Sequence, residues 1–133
     1  MAKRKSKMPV SKAKTAYELL GEIRKIILEE PKRYDQTDTL FHCDASDPLA
    51  PACGTIGCVA GWVVALKAPK THRMHVLEAA ARILGIHKYD SWMLFDSDQA
   101  RGKPQTYSHA RSGAAHIARF MKKHEAQLKA KSV

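Results

Sequence analysis

Cysteine is scarce in this chain: three in 133 residues, an odd number. That is too few for a disulfide framework, so a packed core has to hold the fold and the thiols are expected to stay reduced. Long apolar runs are missing too. The longest candidate, Ile56 to Leu66, falls well short of the roughly 18 residues that cross a bilayer, so no membrane partner is expected. The basic opening MAKRKSKMPVSKAKT lacks the apolar stretch and small-residue cleavage site of a secretory signal, which makes the cytoplasm the expected compartment. No glycine-rich phosphate loop, alternating strand pattern or internal repeat occurs. What remains is the length of one ordinary domain.

The apolar residues recur at helical spacing. Thr15-Ala-Tyr-Glu18 has the form of a capping box, and Leu19, Leu20, Ile23, Ile26 and Ile27 make one stripe that Pro31 ends. From Lys32 to Gly54 the pattern breaks into a long loop. Thr55 is the expected cap of a second helix, with Ile56, Gly57 and Cys58 in its first turn; its unbroken apolar character predicts a buried, central position. Thr71 opens a third helix with a stripe of Met74, Val76, Leu77, Ala80, Ala81, Ile83 and Leu84. There Gly85-Ile86 reads as a left-handed cap. Asp90 is expected to cap a single turn, SWMLF, that drops Trp92, Leu94 and Phe95 into the core. A last helix runs from about Ser108. The pattern predicts an all-α fold: a compact bundle of about four main helices, with the long loop before the central one. Residues 15–128 form the domain, residues 1–14 a basic flexible tail and residues 129–133 a C-terminal tail.

Charge is unevenly placed. Residues 1–14 hold six Lys or Arg and no acid, residues 119–133 hold five and only Glu125, and the body between balances 12 against 12, so all of the net +10 lies at the ends. Such ends suit a polyanion, because cations that meet phosphates release condensed counterions. The candidate nucleic-acid contacts are Lys3, Arg4, Lys5, Lys7, Lys12 and Lys14, together with Arg111, Arg119, Lys122, Lys123 and Lys129 on one arc of the last helix. Aromatic residues are not interleaved with these charges, so phosphate contacts with little sequence preference are expected. An acidic protein surface would answer the same charges, and solubilising tails would need no partner.

The stretch from Cys53 to Gly61, C-G-T-x-x-C-V-A-G, followed by A-A-x-I-L-G85-I and L94-F95, resembles a family of small, largely uncharacterised proteins from bacteria and their phages. The likeness covers roughly Ile23 to Phe95. The resemblance carries no established activity to these residues and leaves out the basic ends; the charge placement is what makes a small non-enzymatic helical accessory protein, phage-derived, the expected function.

Two chemistries compete with a purely structural role for the motif. A cysteine in the first turn of a helix meets unpaired N–H groups that favour the thiolate, so Cys58 is a candidate nucleophile with His109 or His116 as its base. Trp62, four residues on, argues instead for a buried and inert thiol. Cys53 and Cys58 also have a spacing at the upper limit for zinc, and His42 and Cys43 would complete four ligands. Such a zinc site would make the chain a protein-interaction module. His72, His75 and Glu78 share one side of the third helix, where a solvated face is the simpler reading, and Asp96 and Asp98 lack the partners of a calcium site.

Overall fold

Thr15 opens the first helix as its capping box predicts. Its Oγ1 accepts from the Glu18 N–H at 3.2 Å, while the Glu18 carboxylate reaches back to the Lys14 N–H at 2.8 Å. Helix α1 spans Ala16–Glu29 and buries Leu19, Leu20, Ile23, Ile26 and Ile27, at roughly 1.5–3 kcal/mol for each large side chain removed from water. A single 3-10 turn, Pro31–Arg33, ends it. In this computed structural model the described residues are 11–34, 36, 58–68, 75–95, 100–103 and 106–133.

The architecture is all-α; among the described residues there are six α-helices and no β-strand beyond isolated bridges. Helix α2, Val59–Lys67, is the buried central helix, with every residue from Val59 to Ala65 inside. Its cap differs from the expectation. Cys58 is the N-cap, in extended backbone, so the helix begins after Cys58, while Thr55, the expected cap, lies outside the described residues. The Val59 N–H is satisfied from elsewhere in the chain, by the side chain of Gln36 at 3.1 Å.

Helix α3, Val76–Leu84, starts later than Thr71, with His75 as its N-cap, and buries Val76, Ala80 and Leu84 while Leu77 faces outward. Its end follows the sequence. Gly85 adopts φ 68° and the Ile86 N–H reaches the Ala81 carbonyl at 3.1 Å, a left-handed cap that glycine adopts without the usual β-carbon penalty. The expected single turn after it is a full helix, α4, over Lys88–Phe95. Asp90 lies inside it rather than capping it. The buried positions are Ser91, Leu94 and Phe95, spaced at i, i+3 and i+4, which turns Trp92 out to solvent at 58% exposure, against the expectation that it enters the core.

Helix α5, Tyr107–Lys123, is capped by Thr106, and His124 separates it from a short α6, Glu125–Ala130. Its pairing with α1 is antiparallel. The Lys129 ammonium lies 4.8 Å from the Tyr17 ring centre, Gly21 faces Met121, and Arg24 Nε donates to the Ala114 carbonyl at 3.1 Å, so residue numbers rise on one helix as they fall on the other. Residues 129–133 are not a tail. Lys129 and Ala130 are helical, Ser132 bridges Thr15, and backbone bonds run from Ala16 N–H to Lys131 O at 2.8 Å and from Val133 N–H to Lys14 O at 3.1 Å. No helix among the described residues is long and apolar enough to cross a membrane.

Candidate polyanion-binding surface

The segment before α1 is strapped to it. Ser11 Oγ donates to Glu22 at 2.6 Å, the Lys12 N–H donates to the same carboxylate at 2.7 Å, Ala13 is buried, and Lys67 Nζ donates to the Ala13 carbonyl at 3.0 Å. These bonds fix the backbone and leave the Lys12 and Lys14 side chains exposed. The C-terminal residues Lys131 to Val133 pair with Lys14 to Ala16, so the backbone of Lys14 and that of Lys131 meet at one pole of the molecule. Lys3, Arg4, Lys5 and Lys7 lie outside the described residues.

Helix α5 divides as its periodicity predicts. His109, Ala110, Gly113, Ala114, Ile117 and Phe120 are buried, and Arg111, Arg119, Lys122 and Lys123 are exposed on the other side. The Arg111 guanidinium stands 5.8 Å from the Tyr107 ring centre. Lys129 is exposed but engaged: it donates to Glu125 one turn earlier, and that carboxylate holds the lysine above its ordinary pKa. Packing adds a cation the sequence did not single out. Arg24, fixed by its Nε bond, flanks an open groove of about 500 Å³ whose floor includes Gly21, Ala118 and Met121 and whose far rim carries Lys122. Only the α1–α5 pairing brings Arg24 beside the cationic face.

The cysteine motif leads into the interior. Cys58 is fully buried. Beside it Gln36 acts as a buried polar hub: its Oε1 accepts from Tyr34 Oη at 3.0 Å and from the Val59 N–H, its Nε2 donates to the Phe95 carbonyl at 2.9 Å, and its backbone N–H donates to His109 Nε2 at 2.9 Å. Because Nε2 of His109 accepts, the proton sits on Nδ1, which faces the Arg101 carbonyl at 3.1 Å. Neither ring nitrogen of His109 is directed at the thiol. His116 Nε2 lies 2.8 Å from the Met93 carbonyl oxygen, against α4. Of the candidate zinc ligands, His42, Cys43 and Cys53 lie outside the described residues, among which no group of three metal-ligating side chains gathers. His75 stands 3.7 Å from Glu78, both well exposed, while His72, Asp96 and Asp98 are outside the described residues.

A second surface was not foreseen. On α4, Tyr89 is 67% and Trp92 58% exposed, with Met93 and Leu77 open beside them. The Tyr89 ring stacks on His87 at 5.4 Å and meets Trp92 edge-on at 5.6 Å, and the Lys88 ammonium lies 5.5 Å from the Trp92 ring centre. The signal was present in the sequence: once Leu94, Phe95 and Ser91 take the inward face, helical spacing sends Tyr89, Trp92 and Met93 outward.

Comparison with known proteins gives no matching family model, no matching curated protein and no matching solved structure.

Proposed function

We propose that this chain is a small accessory protein that binds the phosphate backbone of nucleic acid with little sequence preference, using the pole where its basic ends meet and the cationic side of α5. The observation that carries this reading is the Thr15–Ser132 bridge with its flanking backbone bonds. It pairs the backbone around Lys14 with that around Lys131, cations from opposite ends of the sequence, which supports engagement of both by a single polyanion. An electrically neutral body bearing such a pole has nothing else in its charge pattern to direct recognition of particular bases.

The test is a salt titration on duplex DNA. Neutralising about six phosphates gives a slope of log affinity against log salt near −5, at about 0.9 per phosphate. Removing residues 1–10 should flatten the slope. Absence of binding at low salt, or binding indifferent to salt, would overturn the reading and leave an acidic protein surface or solubilisation as the role of the charges.

A further inference from the structure

We infer that the exposed aromatic cluster of α4 is a base-stacking platform, so that single-stranded nucleic acid is preferred over duplex. This rests on the polyanion reading above and extends it from phosphates to bases. Tyr89 and Trp92 are each more than half exposed, although tryptophan is among the residues a fold most readily buries on average. They are not isolated. His87, just before α4, and Tyr89 and Trp92 on it form a chain of ring contacts, stacked and then edge-on. Trp92 lines an open groove of about 630 Å³ between α3 and α4 together with Leu77, Ala81 and Phe95, and the groove carries one cation, Lys88, and one exposed carboxylate, Glu78, which stands 3.7 Å from His75.

The choice of occupant follows from the charges. Lys88 stands over the Trp92 ring and Arg82 is exposed on the adjoining helix, while Asp90 is turned toward His124 at 3.9 Å. An apolar protein helix would want a strip of aliphatic side chains free of charge. Here Lys88 stands beside an exposed aromatic pair, so a base that stacks on Tyr89 or Trp92 has an ammonium within reach of its phosphate. A strand held in this way satisfies both features at once, and a duplex, whose bases are already stacked, satisfies only the charge. The net charge of +10 draws either polymer to the molecule, so the rings decide between them.

The experiment uses the full chain and Trp92 as its own reporter, since the other tryptophan, Trp62, is fully buried. A short oligothymidylate, an oligoadenylate, a duplex of matching length and inorganic polyphosphate are titrated at fixed salt. Single strands are expected to quench the exposed tryptophan and polyphosphate to bind without quenching. Trp92→Ala should lose roughly 5- to 150-fold in affinity for the strands, the range for one stacked base, with duplex and polyphosphate binding unchanged. Trp92→Phe should keep the affinity and lose the quenching. If Trp92→Ala binds strands as tightly as the parent while every polyanion still binds, stacking is wrong and the phosphate reading stands. If no polyanion binds, the phosphate reading fails and this inference with it. Self-association of the parent that Trp92→Ala abolishes, with strand affinity unchanged, would assign the patch to a protein contact instead.

Discussion

The ring of Tyr34 lies against the α-carbon of Gly113: a β-carbon placed there would fall 2.2 Å from the phenolic oxygen and 2.5 Å from the carbon that bears it. This close approach puts the Tyr34 hydroxyl on Gln36, and through Gln36 it fixes the start of the central helix.

Gly113→Ala sets two effects against each other. Alanine favours a helix interior by about 1 kcal/mol over glycine. Overpacking costs about 1–3 kcal/mol, and a displaced Tyr34 loses a hydrogen bond worth about 1 kcal/mol. The clash wins because the opposing atoms are a buried ring with no room to swing away. A net loss of about 1–3 kcal/mol is expected in urea unfolding, with helix content retained. Stability equal to or above the parent's would contradict the packing described.

Gln36→Ala should be worse. It strips a buried acceptor from Tyr34 Oη and the Val59 N–H and a donor from the Phe95 carbonyl, and each buried group left unsatisfied costs about 1–3 kcal/mol. A loss of about 3 kcal/mol or more is expected, well beyond the roughly 1 kcal/mol of an ordinary N-cap. Tyr34→Phe, which keeps the ring and removes one bond, should cost about 1 kcal/mol and calibrate the comparison.

These two sites show where sequence reasoning stops. The stripe of α1, the buried α2, the glycine cap of α3 and the two-sided α5 were all legible, since each follows from periodicity and short-range chemistry. Gln36 was not. A glutamine in a polar stretch carries no local mark of burial, and apart from Tyr34 its partners lie 23, 59 and 73 residues away. Trp92 is the exception: its hydrophobicity argues for the core, and only the register of Ser91, Leu94 and Phe95 turns it outward. The C-terminal pairing with Thr15 was equally hidden, because a few residues after a helix look like any other tail.

Cys58 offers a readout of the core. As a fully buried N-cap it should react with iodoacetamide only when the structure opens. Labelling at Cys58, located by mass spectrometry, should therefore be slow near neutral pH and should speed up in Gly113→Ala in step with the lost stability. Rapid labelling of the folded parent would restore the reading of Cys58 as a nucleophile.

Truncation separates binding from folding. Removing residues 1–10 takes away Lys3, Arg4, Lys5 and Lys7 and none of the bonds that strap residues 11–14. Removing residues 1–14 also takes away buried Ala13, both partners of Glu22, the Lys67 acceptor and the carbonyl that receives Val133. The shorter cut should flatten the salt dependence of binding with little change in Tm. The longer cut should lower Tm by several degrees, as a loss of about 1–2 kcal/mol does in a domain of this size. Equal melting of the two would show that the strap adds nothing to the fold.

Glu125 is the acid of the C-terminal segment, and it spends its charge on Lys129. Glu125→Gln removes a negative charge and releases the ammonium to meet phosphate, so binding to DNA should tighten and the salt slope should steepen by up to about 0.9, one further phosphate. Lys129→Ala should do the reverse, because it leaves the carboxylate to repel the backbone. The exposed position of the pair means that both variants should melt close to the parent. The sign of the pH effect follows from the raised Lys129 pKa. In the parent the raised pKa keeps the Lys129 ammonium charged through neutral and mildly alkaline solution; Glu125→Gln removes the cause of the rise, yet a lysine at its ordinary value of about 10.4 is still charged there, so the contrast between the two variants should be constant from about pH 7 to 9. Salt titrations of the three proteins at both ends of that range check it, and equal slopes for Glu125→Gln and Lys129→Ala would place Lys129 outside the binding surface.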